Sequence, residues 1–135
     1  MRLIAALICL TTTGFAAFAS AQTPPRCTDS FNLYFESETA IVPDSAKGLV
    51  VAIVERIKKC PASRILVIGH VDGFETRFLP KLGADRSAVV AANLLRQMPL
   101  GARVIVTDAG YSRPARVTAL GIKEPLNRRV TIEMQ

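Results

Sequence analysis

Between Phe31 and Ile68 the hydrophobic residues change their spacing twice, and this restricts the chain to folds that alternate strands with helices. Phe31, Leu33 and Phe35 alternate with Asn32, Tyr34 and Glu36, the period of two that a half-buried strand needs. Ala46, Leu49, Val50, Ile53, Val54 and Ile57 then recur at helical spacing, started by Pro43-Asp44-Ser45 and ended by Lys58-Lys59-Cys60-Pro61. Ile65 to Ile68 is a short continuous apolar run, as expected of a central strand.

Further along, residues 73–81 show no clean period and contain Pro80, so a loop is expected there. Leu82 to Met98 is predicted to be a second helix, with Leu82, Val89, Ala92 and Leu95 facing the core. Pro99 to Gly101 break it, and Val104-Ile105-Val106 and Val130-Thr131-Ile132 supply two more strands. Residues 110–125 read as a loop with one helical turn. The order βαβαββ predicts an α/β (α+β) two-layer sandwich, a mixed sheet with the helices packed on one face. At 135 residues, half of them hydrophobic, the chain supports one compact core. It shows no internal repeat and no low-complexity tract.

Residues 1–21 read as a signal peptide rather than as part of that core. Arg2 supplies the positive start, Leu3 to Leu10 the apolar stretch, and Ala19-Ser20-Ala21 a small-x-small cleavage site. The stretch is broken by Thr11-Thr12-Thr13-Gly14 and is short for a spanning helix, so no membrane span is expected in the mature chain. Cys9 follows Ile8, where a lipidated cysteine needs a small residue, so a lipid anchor is not expected. The expected organisation is a leader over 1–21, a turn-rich lead-in over 22–30, and one domain over 31–135.

Export places Cys27 and Cys60 in an oxidising compartment, where a disulfide between them is the expected pairing. Free thiols, or a metal pair with His70, are the alternatives. The cysteines lack the close spacing of structural zinc sites and the chain has 1 histidine, so neither a metal site nor a cofactor is expected. Loss of Arg2 with the leader lowers the net charge from +6 to one unit less. The basic residues are dispersed, with no aromatic-interleaved basic run, which argues against nucleic acid as partner.

Four fragments carry more information than the composition. They are Gly69-His70-Val71-Asp72, Phe78-Leu79-Pro80-Lys81-Leu82-Gly83-Ala84-Asp85-Arg86, Asp108-Ala109-Gly110-Tyr111-Ser112-Arg113-Pro114 and Asn127-Arg128-Arg129-Val130. In this order, over residues 31–134, the chain resembles the OmpA-like peptidoglycan-binding domain family found in outer-membrane proteins, the Pal lipoprotein and flagellar motor stators. The family pattern runs Gly-His-Thr-Asp, then Tyr-Asn-x-x-Leu-Ser-x-x-Arg, Gly-x-Gly-x-x-x-Pro and Asn-Arg-Arg-Val. The resemblance implies non-covalent binding of the diaminopimelate in the peptidoglycan stem peptide of the Gram-negative envelope. Asp72 falls at the position that takes the ligand ammonium and Arg86 at the one that takes its carboxylate. Arg129 is a secondary candidate, and Ser37 and Thr39, beside Glu36 and Glu38 in the loop after the first strand, are expected to flank the pocket.

Charge chemistry supports the same pair independently, because a guanidinium fork matches a carboxylate with two parallel bonds. A direct Asp72–Arg86 salt bridge is the plainer alternative. The chain departs from the family at Val71 for Thr, Leu79 for Asn and Gly83 for Ser, lacks the loop glycine, and is one residue shorter between Asp72 and Arg86. A loop carrying Phe74, Phe78 and Leu79 offers few hydrogen-bond partners to a peptide. This motivates the second reading, a degenerate OmpA-like domain that docks on another envelope protein as an interaction or scaffold module. Catalysis is not expected, since His70 has no nucleophile partner in the sequence pattern and Asp72 no matched second acid. The expected location is the periplasm, in association with the outer membrane or cell wall.

Overall fold

The computed structural model describes residues 27–60, 64–98, 101 and 103–135. The leader over 1–21 lies outside the described residues, as does most of the lead-in. The elements in chain order are β1 (Ser30–Tyr34), a 3-10 turn at Asp44–Ala46, α1 (Lys47–Lys58), β2 (Arg64–His70), α2 (Gly73–Phe78), α3 (Leu82–Leu95), β3 (Arg103–Gly110), a 3-10 turn at Pro125–Asn127, and β4 (Arg129–Met134). The sheet order is β1-β4-β2-β3. β4 runs antiparallel to both β1 and β2, while β2 and β3 are parallel. This is the mixed α/β sheet expected from the alternating periods.

The core forms between one face of the sheet and the two long helices. Leu33 and Phe35 meet Ile65, Val67, Val130, Ile132 and Met134 from the strands, and Val50, Ile53, Val54, Ile57, Val90, Ala91 and Leu94 from α1 and α3. Removing such apolar area from water is the main favourable term in folding. Cys27 and Cys60 are joined by a disulfide that ties the chain before β1 to the end of α1. Among the described residues no helix is long and apolar enough to cross a membrane.

Two expectations are corrected. Residues 73–78 are helical, because Asp72 caps the segment: its Oδ1 accepts from the Glu75 amide at 2.8 Å, and Glu75 returns a bond to the Asp72 amide. Pro80 falls after that helix has ended. The second correction is the phase of α3. Its buried face is Leu82, Gly83, Arg86, Ser87, Val90, Ala91 and Leu94. Val89 and Leu95 are 37% and 51% exposed, and Ala92 is exposed as well. The apolar pattern misplaced the face because two polar residues, Arg86 and Ser87, sit in the middle of the buried stripe.

Candidate functional site

The end of β2 meets the start of α3 so closely that Gly69 has no room for a side chain, while Gly83 faces a side chain of β3. A Cβ on Gly69 would lie 1.8 Å from the Gly83 carbonyl oxygen, and one on Gly83 would lie 2.2 Å from Asp108 Oδ1. Gly83 thus leaves room for Asp108 on β3. Beside this contact the β2–β3 pairing slips by one residue, from Gly69 opposite Asp108 to His70 opposite Gly110. Such bulges bend a strand and re-aim the residues beyond it. Val71 and Asp72, both buried, are the residues re-aimed here.

Asp72 is fully enclosed by its own partners. Oδ1 caps α2, while Oδ2 accepts from the Glu124 amide at 3.0 Å and from Arg128 Nη1 at 3.3 Å. Arg86, one turn into α3, is equally enclosed. Nε donates to the Thr39 carbonyl at 2.9 Å, and Nη1 and Nη2 donate to the carbonyls of His70 and Glu36 at 3.2 and 3.0 Å. The two remaining N–H groups go to Glu75, Nη1 to Oε2 and Nη2 to Oε1, both at 2.7 Å. All five donors of the guanidinium are therefore used within the chain. The ring of Phe35 lies under it, 5.2 Å from centroid to the guanidinium carbon.

Asp72 and Arg86 come to the same end of the sheet without pairing with each other. The ion pairs are Asp72–Arg128 and Glu75–Arg86, so each of the two expected residues has a partner that sequence reasoning missed. Asp72-Gly73-Phe74-Glu75 has the spacing of a capping box, the one sequence signal that could have placed Glu75 beside Asp72. Nothing in the sequence marked Arg128 as the partner of Asp72.

The loop after β1 closes the site from above. The main-chain carbonyls of Glu36 and Thr39 hold Arg86, and the Glu38 amide donates to Glu75 Oε1 at 2.9 Å. Glu38 adopts a φ of 60°, the left-handed turn that lets its amide face inward. Thr39 Oγ1 accepts from the Ile41 amide, and Ser37 Oγ is buried without a partner among the described residues. Asn127 clamps the loop before β4 through two bonds to the main chain of Arg116, at 2.9 and 2.7 Å.

Arg129 lies elsewhere. It sits on the sheet face opposite the helices, beside a hollow of about 280 Å³ lined also by His70, Arg113, Thr131, Asn32 and Tyr34. Neighbours along a strand point to opposite faces, which separates Arg129 from Arg128 and from the Asp72 site. His70 Nε2 bonds Thr131 Oγ1 at 3.2 Å, and burial, with the charges of Arg129 and Arg113, pushes its pKa down to about 4. At neutral pH the imidazole is uncharged. Among the described residues no group of three or more His, Cys, Asp or Glu is placed to hold a metal ion.

By sequence, no family model and no curated protein matches the chain. By structure the similarity is extensive. The OmpA-like domain of FopA1 from Francisella tularensis superposes with a TM-score of 0.65 at 20% identity, covering 78% of this chain and 71% of that one. The peptidoglycan-associated lipoprotein from Burkholderia pseudomallei gives 0.65 at 24% identity, covering 77% and 89%. The cell wall anchor of the T6SS from Pseudomonas aeruginosa gives 0.63 at 25% identity, covering 77% and 78%. The chain has the fold of these OmpA-like and peptidoglycan-associated structures.

Proposed function

We propose that this chain is a non-catalytic module that binds peptidoglycan in the Gram-negative envelope, holding the diaminopimelate of the stem peptide at the Asp72–Arg86 end of the sheet. One observation carries the reading: the Arg86 fork is paired on both prongs, at 2.7 Å, with a carboxylate, that of the chain's own Glu75, so this point of the fold accommodates a carboxylate. The similarity to a cell wall anchor and to a peptidoglycan-associated lipoprotein supports the same reading. The leader over 1–21 would deliver the chain to the periplasm, and the Cys27–Cys60 disulfide suits that compartment. Binding rather than turnover suits the buried, uncharged His70, whose Nε2 is engaged by Thr131.

The test is sedimentation of the folded wild type with purified sacculus, with and without an excess of diaminopimelate-containing muropeptide. The chain is expected to pellet with the wall and to be released by the muropeptide. Failure to pellet, or pelleting that the muropeptide leaves unchanged, removes the reading.

A second reading is favoured by the apolar surface around α2. Phe78 is 56% exposed, and Leu120 and Ile122 are exposed on the loop that hydrogen-bonds to α2. An interaction or scaffold module docking on another envelope protein would use this patch. Its mark is a partner lost on Phe78→Ala while wall sedimentation is unchanged.

A further inference from the structure

Four N–H groups converge on the two carboxylate oxygens of Glu75. Arg86 Nη2 and the Glu38 amide reach Oε1 at 2.7 and 2.9 Å, and Arg86 Nη1 and the Asp72 amide reach Oε2 at 2.7 and 3.3 Å. The bonds from Arg86 and Asp72 are buried, the one from the Glu38 amide is part-buried, and both side chains of the ion pair are 0% exposed. This is a complete carboxylate receptor, and the chain fills it with its own residue. No donor of Arg86 is left over, so an external carboxylate reaches the guanidinium only by taking Glu75's place.

The element that carries Glu75 is suited to giving that place up. α2 has six residues, too few for a helix to hold by itself. The residues it buries are Gly73 and Glu75, so little apolar surface anchors it. Main-chain bonds from Phe74 to Ile122 and from Gly121 to Gly73, at 3.0 and 2.8 Å, tie it to the neighbouring loop. Gly73 packs closely on the main chain of that loop, Lys123 Nζ lies 4.4 Å from the Phe74 ring centroid, and the cap on Asp72 and the Glu75 carboxylate add the buried polar attachment. Segments held by few apolar contacts are the ones that open first.

We propose that Glu75 is a built-in competitor for the ligand-carboxylate position on Arg86, and that a carboxylate ligand binds by displacing it together with α2. Glu75 thereby sets the threshold that a ligand must exceed, which makes it a specificity-determining residue. A lone carboxylate such as acetate meets the same four donors with no gain to offset the displacement and is excluded from the wild type. A carboxylate held by further contacts, as in a stem peptide, can enter. The consequence for the wall rests on the peptidoglycan-binding reading.

The test uses Glu75→Ala and Glu75→Gln. Melting of Glu75→Ala is compared in acetate and in chloride at neutral pH and equal ionic strength. Acetate is expected to raise its Tm by about 5 °C or more, since a ligand that binds only the folded state stabilises it, and to leave the wild type unchanged. A folded Glu75→Ala with the same Tm in both salts overturns the proposal. Glu75→Gln keeps the side-chain shape but not the charge, and carries the test should the alanine variant fail to fold. It is expected to bind diaminopimelate-containing muropeptide about tenfold more tightly than the wild type, because the competing state is less populated. Wild-type binding that Glu75→Gln leaves equal or weakens overturns the competitor role while sparing the wall-binding reading. Rescue by acetate with no muropeptide binding by any variant sustains Glu75 as occupant of the receptor and removes the wall-binding reading instead.

Discussion

The guanidinium of Arg86 and the carboxylate of Glu75 face each other fork to fork, with both N–O distances at 2.7 Å and neither side chain in contact with solvent. A pair this deeply buried gains Coulomb energy only after two large desolvation costs have been met, and the carbonyls and amides around it are what make it tolerable. Its weight therefore shows when one half is removed.

Arg86→Ala should destabilise the fold by about 3–5 kcal/mol, because it strands an uncompensated carboxylate in the core. The double change Arg86→Met with Glu75→Leu should cost less, since it leaves no buried charge, only the carbonyls and amides that had bonded the pair. Urea unfolding midpoints of the two variants measure the difference. Equal losses would mean that the pair itself, rather than the orphaned partner, carries the stability.

The contact between β2 and α3 makes an asymmetric prediction about two glycines. At Gly69 an added methyl meets main chain, at 1.8 Å from the Gly83 oxygen, so Gly69→Ala must push strand and helix apart and should cost about 3 kcal/mol or more. At Gly83 the obstacle is the carboxylate of Asp108, whose side chain can rotate, so Gly83→Ala should cost less. Thermal melting of both variants ranks them.

His70 makes stability depend on pH. Its folded pKa is about 4, against an ordinary value of 6.5, so between those values the unfolded chain holds the proton and the folded chain does not. The contribution is present above pH 6.5 and is lost as the pH falls towards 4. Melting temperatures of the wild type and His70→Gln, measured across that window, should show a steeper acid decline in the wild type. Parallel profiles would remove His70 as the cause.

Cys27 and Cys60 close a loop with a sequence separation of 33, and reduction should lower stability by about 3–4 kcal/mol on the chain-entropy account. Cys60 is buried against the core, so a Cys27→Ala, Cys60→Ala variant should show a similar loss from the missing bridge. Denaturant midpoints with and without reductant provide the measurement.

The amino-acid sequence by itself determined the alternation of strands and helices, because burial of one face imposes a period that can be read without coordinates. It also singled out the end of the sheet proposed as the binding end, since the Gly69–Asp72 and Arg86 segments carry their resemblance in local motifs. It suggested the cysteine pair, which the structure joins. Tertiary structure alone decided who partners whom. Ion pairing depends on which carboxylate the fold carries to within about 3 Å of a guanidinium, and spacing along the chain does not contain that distance. Arg86 therefore met Glu75 rather than Asp72, and Asp72 met Arg128. The same limit explains the misphased α3, where burial of a charged residue was possible only because distant carbonyls, amides and a carboxylate converged on it.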